Sequence, residues 1–196
     1  MSKRRVAGLT LFVAGGLLLS FAGGRYALGA VTQDEARQAW SDARAAFAAA
    51  SASALRDRPV ALAVGAPVAH LMIPRIGLDE IVLEGVADDQ LNGGPGHLPG
   101  TVLPGQVGNS VISAHRDRHF RHFGDLAIGD TVVTESGSRR ETWVLVSRRV
   151  VGKDAPAIYP ATEARLTLTT CWPIGYLGSA PDRLILTARP LSAQKG

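Results

Sequence analysis

Three residues of the chain have the chemistry of a cysteine-based acyl-transfer site. Cys171, the only cysteine, ends the run "RLTLTTC", His115 ends the apolar run "NSVISAH", and Arg183 opens the run "RLILTARPL". A thiolate is a nucleophile, an imidazole donates or accepts a proton, and a guanidinium stabilises a developing oxyanion. Each residue alone has a simpler explanation, because a free cysteine is often just buried and a strand-end histidine or arginine is often structural or solvated. Together they indicate a site at the ends of neighbouring strands, where loops commonly carry functional residues.

The composition is that of a folded domain with a basic amino terminus. Of the 196 residues, 46% are hydrophobic, which supports a packed core. Residues 1–30 contain four basic residues and no acid, and the rest of the chain has 17 basic and 17 acidic residues. The excess positive charge therefore belongs to the amino-terminal segment. This pattern is typical of membrane targeting and does not indicate a nucleic-acid-binding face.

The first 30 residues predict a membrane anchor. "MSKRR" is followed by 19 uncharged residues from Val6 to Gly24. As a helix this run would be about 28 Å long, close to the hydrocarbon thickness of a bilayer. It is longer than the apolar region of a typical cleaved signal peptide. We therefore expect a single uncleaved signal-anchor, residues 1–30, in the cytoplasmic membrane, with the catalytic domain outside the cytoplasm. A cleaved signal peptide is the alternative, because small residues such as Ala22 lie near the end of the run.

The next segment, residues 31–58, predicts a helical stalk or linker between the membrane and the domain. It is rich in alanine, which favours a helix. Thr32 and Glu35 have the spacing of a capping box, which predicts a helix start at that point. Apolar side chains from Trp40 onward fall on one helical face, and a short coiled-coil seam is the alternative.

Residues 59–196 predict a single all-β domain. Several short β-rich runs are separated by Gly, Pro, Asn and Asp: "HLMIP", "EIVLEGV", "NSVISAH", "DTVVTES", "ETWVLVSRRVV", "RLTLTTC" and "RLILTARPL". Strands of this length and spacing are typical of a barrel or a sandwich. No long amphipathic helix separates them, which argues against a parallel α/β sheet. The stretch "LNGGPGHLPGTVLPGQVGN" predicts a long turn-rich loop.

These motifs resemble those of the sortase family. "TLTTC" is similar to the TLxTC signature of sortases, "SAHRD" resembles the segment that carries their catalytic histidine, and Arg183 follows the cysteine at the family's usual interval. The order of anchor, stalk and domain also fits, and the resemblance covers roughly residues 68–190. "TCWPIGYLGSAPDR", with an aromatic residue and Pro after the cysteine, is most similar to the sortases of Gram-negative bacteria, class GN.

The resemblance implies an eight-stranded closed β-barrel with short helices and a cysteine transpeptidase activity. Cys171 would attack a backbone carbonyl in an LPxTG-like sorting signal of a protein substrate. His115 would protonate the leaving amine and deprotonate the incoming amine acceptor, and Arg183 would bind the substrate and the oxyanion. Thr170 would contact substrate beside the nucleophile. No cofactor is implied. Calcium sites occur in some sortases, but no spacing of acidic residues identifies one here.

Two other functions and one metal site are compatible with the same residues. The chain could be a cysteine hydrolase that uses water as acceptor, or a non-catalytic barrel that binds extracytoplasmic peptides. "HRDRHFRHF" would place His115, His119 and His122 on one face if it were helical, as a metal site requires. Phe120 and Phe123 resemble packing residues and no cysteine lies nearby, so we predict no metal site.

Overall fold

The computed structural model describes residues 3–49, 62–155 and 158–194. Its helices and strands are α1 (Lys3–Ala49), β1 (Pro67–Ile73), β2 (Leu78–Glu84), α2 (Asp88–Gly93), β3 (Gly96–His97), β4 (Asn109–Ser113), β5 (Thr131–Ser136), β6 (Arg139–Gly152), β7 (Arg165–Trp172) and β8 (Asp182–Pro190). Single 3₁₀ turns cover Pro74–Ile76, Phe123–Asp125 and Leu191–Gln194. All of the strands predicted from the sequence are present. The short strand β3 was not predicted, because it lies within the turn-rich loop.

The eight strands close into a barrel in the order β1-β2-β3-β4-β7-β8-β6-β5. The prediction of an all-β, eight-stranded closed barrel with few short helices is therefore confirmed. Most neighbours are antiparallel, but β2 pairs with β3, and β4 with β7, in parallel. Closure satisfies the edges of the sheet and fixes β7, the strand that carries the cysteine, between β4 and β8.

The alternation of residues in β7 separates a core face from a site face. Successive side chains of a strand point to opposite sides. Leu166 and Leu168 are fully buried in the barrel core. Thr167 and Thr169 therefore face the other side, and Cys171, two residues after Thr169, faces that side as well. The pattern "LTLTTC" thus fills the core and presents the thiol away from it.

Helix α1 runs without interruption from Lys3 to Ala49, so the helix start predicted at Thr32 is wrong. No proline occurs in this range, so no residue before Thr32 forces the helix to end there. The predicted stalk beyond residue 49 lies outside the described residues. Within the described part of the chain, no helix combines the length and the apolarity that crossing a bilayer requires.

The second half of α1 packs against the barrel. Ala36 and Trp40 are buried in a small cluster with Ile81 and Leu83 of β2. Two ion pairs add to this contact, Arg37–Asp79 (2.8 Å) and Arg44–Glu135 (2.6 Å). The segment predicted to be a stalk is therefore, in part, a docked element of the domain.

Candidate active site

The three residues predicted to carry chemistry form a row in backbone register: His115 lies two residues after the end of β4, Cys171 is in β7 and Arg183 is in β8. In the parallel pair β4/β7, Ser113 lies opposite Thr169. Continuing that register by two residues places His115 next to Cys171. In the antiparallel pair β7/β8, Cys171 lies opposite Arg183. Because neighbouring strands are about 5 Å apart, this register brings the backbone positions of the three residues close to one another.

Cys171 is the second-last residue of β7 and is half-buried. Trp172 ends the strand, and Pro173 follows with no backbone N–H to donate to a neighbouring strand. The Trp172 ring packs against the edge of the core, and the guanidinium carbon of Arg148 lies 5.1 Å from the ring centroid. The end of the strand is thus held in place, whereas the thiol remains partly accessible to a reactant.

His115 begins the loop that follows β4, and its side chain is 30% exposed. Its carbonyl oxygen accepts hydrogen bonds from the backbone N–H groups of Phe120 (3.1 Å) and Arg118 (3.4 Å). Phe120 is fully buried and stacks on Phe123, with 3.5 Å between ring centroids. The predicted packing role of these two rings is confirmed, and they hold the loop that starts with the histidine.

Burial lowers the pKa of the His115 imidazole below its ordinary value of 6.5. The carboxylates of Asp117 and Asp88 act in the opposite direction, and the charges of Arg118 and His119 reinforce the lowering. Asp88 Oδ1 lies 4.0 Å from His115 Nε2. A partly exposed imidazole of this kind can donate and accept protons, as an acid–base catalyst must.

Arg183 is the second residue of β8 and its side chain is exposed. The strand is central, since β8 pairs with β7 on one side and with β6 on the other, where Val151 is opposite Arg183. The Nε–H of Arg183 donates to the carbonyl oxygen of Lys153 (3.3 Å). This bond orients the planar guanidinium at the mouth of the row, and no sequence motif indicated Lys153.

Thr170 is buried, and its hydroxyl donates to the carbonyl oxygen of Ala114 (2.8 Å). The N–H of Ala114 in turn donates to the carbonyl oxygen of Thr169 (3.2 Å). These bonds tie β7 to the residue immediately before His115. The substrate contact predicted for Thr170 stays a prediction, whereas the observed contact fixes the backbone beside the histidine.

The three histidines that suggested a metal site point to different partners. Residues 115–122 form turns and not a helix, so the spacing of four and three residues does not align the imidazoles. His119 Nδ1 contacts the carboxylate of Glu80, and His122 Nδ1 lies 3.6 Å from Asp125 Oδ2. Among the described residues, no cluster of His, Cys, Asp or Glu has the arrangement of a metal site.

The barrel has the sortase fold, and the chain belongs to the sortase family. The family model described as "Sortase domain" matches residues 71–191, which form nearly all of the barrel. A curated relative, sortase D of Bacillus subtilis, is 36% identical over 118 residues, 59% of this chain and 60% of that protein. The match therefore spans less than two thirds of the length of that relative.

Solved sortase structures have the same fold. The catalytic domain of B. anthracis SrtD is 32% identical, with 70% of this chain and 96% of that chain covered and a TM-score of 0.56. Sortase C1 of Streptococcus agalactiae is 27% identical, with 82% and 90% covered and a TM-score of 0.60. Sortase D5 of Clostridium perfringens, at 21% identity and a TM-score of 0.65 over 84% of this chain and 99% of that chain, supports the fold alone. These relatives come from Gram-positive bacteria, so the predicted Gram-negative type is not confirmed.

Proposed function

We propose that the chain is a cysteine transpeptidase that cleaves an LPxTG-like sorting signal and transfers the acyl product to an amine. The observation that carries this proposal is the row in backbone register formed by His115, two residues beyond β4, with Cys171 in β7 and Arg183 in β8. Family membership alone does not establish the chemistry, since one fold hosts many activities. The row supplies a nucleophile, a proton carrier and an oxyanion donor at one place.

In the first half of the reaction, the Cys171 thiol passes its proton to His115, and Sγ attacks the scissile carbonyl carbon of the sorting signal. The electron pair of the carbonyl moves to its oxygen, and Arg183 stabilises the resulting oxyanion with N–H donors. Collapse of the tetrahedral intermediate breaks the C–N bond. His115 gives its proton to the leaving nitrogen, and a thioester to Cys171 remains.

In the second half, the nitrogen of an acceptor amine attacks the thioester carbonyl. His115 takes a proton from the incoming amine, the C–S bond breaks, and the thiol is regenerated. The product is a new amide. With water as acceptor the product is a carboxylic acid, and the protein would then act as a hydrolase.

Product mass separates these functions. A labelled peptide that carries a sorting signal is incubated with the protein, with and without an added amine. Transfer predicts a product heavier by the amine, hydrolysis predicts only the free acid, and a peptide-binding barrel predicts unchanged peptide. Cys171→Ala with retained circular dichroism must abolish turnover, and turnover at the unaltered rate would remove Cys171 from the mechanism.

We propose further that α1 anchors the protein in the cytoplasmic membrane, with the barrel outside the cytoplasm. Support comes from the basic "MSKRR" and the uncharged run after it. Large apolar side chains within that run are exposed in the structure, among them Leu11 (79%), Phe12 (81%) and Leu19 (76%). Such a surface requires an apolar environment to cover it. Because Cys171 is the only thiol, its labelling in intact cells by a membrane-impermeant maleimide tests the orientation.

We also propose that the protein is a sortase of the Gram-negative type, and this proposal depends on two residues. It rests on Trp172 and Pro173, the aromatic residue and proline that follow the cysteine. No cofactor is part of the proposal. Glu80 and Glu84, two acidic residues that a calcium site could use, already contact His119 and His97.

A further inference from the structure

A stretch of helix α1 outside the predicted catalytic residues is built into the barrel through one buried amide. The side chain of Gln33 is buried. Its Nε2 donates to the carbonyl oxygens of Ile81 (3.0 Å) and Gly93 (2.9 Å), and its Oε1 accepts from the N–H of Ile81 (2.9 Å). The amide therefore completes the hydrogen bonding of Ile81 in β2 as a neighbouring strand would, and it joins β2 to the end of α2.

The backbone around this amide approaches closely enough to require glycine. A Cβ on Gly94 would lie 2.2 Å from Gln33 Nε2, and one on Gly93 would lie 2.7 Å from Thr32 Cγ2. On the helix side, a Cβ on Gly29 would lie 2.8 Å from the carbonyl oxygen of Asn92. The first two glycines of "LNGGPG", Gly93 and Gly94, are thus explained by the docking of α1. Helix α1 is therefore closely packed against the segment at residues 92–94.

The elements held by Gln33 are the ones that flank His115. Helix α2 begins at Asp88, whose Oδ1 lies 4.0 Å from His115 Nε2. At the other end of α2, the carbonyl oxygen of Asn92 accepts from Arg118 Nη1 (3.1 Å), and the N–H of Arg118 donates to the carbonyl oxygen of His115 (3.4 Å). In β2, Glu80 precedes Ile81 and contacts His119 of the same loop.

We propose that Gln33 is a positioning residue for His115, acting through α2 and the loop that follows β4. The proposal rests on the function proposed above, in which His115 carries the proton. It gives the segment that joins the domain to the amino-terminal apolar run a part in catalysis. A small displacement of α2 moves Asp88 together with the carbonyl oxygen of Asn92, which binds Arg118. Displacements of about 1 Å in a catalytic group lower rates by up to about 100-fold.

The test compares Gln33→Leu with two controls in the full-length chain. Gln38→Leu changes an exposed glutamine on the same helix. Val132→Ala lowers stability from inside the barrel at β5, away from the site. The first readout is the pH dependence of Cys171 alkylation by iodoacetamide, which follows the thiolate and its imidazole partner and needs no peptide. The groups that act on that imidazole are Asp117, Asp88, Arg118 and His119. The second readout is the split between kcat and KM for peptide transfer.

For Gln33→Leu we expect the pH midpoint of Cys171 alkylation to shift. We expect kcat to be about tenfold lower and KM to stay within about twofold of the unaltered protein. Both controls should keep the original midpoint. The proposal is overturned if Gln33→Leu folds and keeps the original pH midpoint of alkylation and the original kcat. It is also overturned if Val132→Ala, at an equal loss of Tm, shows the same shift of that midpoint.

If Gln33→Leu does not fold, Gln33→Glu decides the question. A carboxylate still accepts from the N–H of Ile81 but cannot donate to the two carbonyl oxygens. A shifted alkylation midpoint in this variant supports the proposal, and an unshifted midpoint overturns it. If the unaltered protein transfers no peptide at all, the proposed function fails, whereas the alkylation profiles still decide the role of Gln33.

Discussion

Cys171 and Arg183 are directly opposite each other in the antiparallel pairing of β7 and β8. Both side chains leave the barrel on the face opposite the leucine core, and the Nε–H of Arg183 is held by the carbonyl oxygen of Lys153. The spacing of the two backbone positions is thus set by the hydrogen bonds between β7 and β8.

Arg183→Lys should lower kcat/KM for peptide transfer by about 100-fold, the usual cost of losing an oxyanion donor. Lysine keeps the charge but lacks the planar pair of donors and the Nε–H that bonds to Lys153. Steady-state kinetics with a sorting-signal peptide measures the effect. Arg189→Lys, on the exposed side of the same strand, is the matched control and should change kcat/KM by less than about twofold. Equal rates for Arg183→Lys and the unaltered protein would contradict the oxyanion role.

Asp117→Asn should lower the pKa of His115 further. Burial already lowers this pKa, and the Asp117 carboxylate is the largest influence that raises it. Removal of the carboxylate destabilises the imidazolium. The titration of the imidazole signals by NMR checks this shift. Asp125→Asn, beside His122, should leave the His115 titration unchanged. A higher pKa in Asp117→Asn would show that the electrostatic account of the loop is wrong.

The same pKa shift predicts how stability depends on pH. The folded protein binds the His115 proton less readily than the unfolded chain, because the folded pKa lies below the ordinary value of 6.5. Its contribution to stability is therefore complete above 6.5 and is lost as the pH falls from there to the folded pKa. His115→Gln should remove this slope from denaturant unfolding curves. A slope of opposite sign would contradict the lowered pKa.

The buried pair Glu84–His97 should contribute strongly to barrel stability. His97 Nε2 lies 3.0 Å from the carbonyl oxygen of Val102, which can only accept, so this nitrogen carries the proton. Its Nδ1 lies 2.6 Å from Glu84 Oε2. Glu84→Leu leaves Nδ1 without its hydrogen-bond partner in the interior and should lower the free energy of unfolding by about 1–3 kcal/mol. His122→Leu, at an exposed pair, should cost less than about 1 kcal/mol by the same urea titration. Similar losses of unfolding free energy in both variants would show that burial does not make the Glu84–His97 pair more stabilising than an exposed pair.

Two threonines of β7 should respond oppositely to the same substitution. Thr169 Oγ1 is buried and has no hydrogen-bond partner among the described residues, whereas Thr167 Oγ1 donates to Asn109 Oδ1 (2.8 Å). Thr169→Val removes an unsatisfied hydroxyl and should leave the free energy of unfolding unchanged or raise it by about 1 kcal/mol. Thr167→Val leaves the amide oxygen of Asn109 without its donor and should lower the free energy of unfolding by about 1–3 kcal/mol. Equal losses would show that the Thr169 hydroxyl has a partner in solution.

The sequence predicted the strands well because their patterning is local. In β7, the run "RLTLTTC" indicated the strand and placed Cys171 at its end. The row formed by His115, Cys171 and Arg183 is not local. It depends on an offset of 56 residues between β4 and β7, which only the pairing of the folded strands defines. The resemblance to sortases supplied that relationship where periodicity could not.

Helix α1 was predicted less well than the strands. The capping-box spacing at Thr32 predicted a helix start, but nothing in the preceding residues ends a helix, so the chain continues through it. Gln33 was not recognised, because a glutamine on an alanine-rich helix normally faces solvent. Its partners, Ile81 and Gly93, are 48 and 60 residues away. The paired glycines at 93 and 94 carried a signal of close approach, yet the sequence did not indicate what approaches them.

The most direct test of the central claim is intact-mass analysis of the protein after incubation with a library of sorting-signal peptides and no added amine. We predict a mass increase equal to the acyl fragment of a cleaved peptide, mapped by fragmentation to Cys171. The adduct should be absent in Cys171→Ala and should disappear from the unaltered protein when an amine is added. Peptide cleavage without an adduct on Cys171, or cleavage that persists in Cys171→Ala, would contradict the assignment of this thiol as the nucleophile.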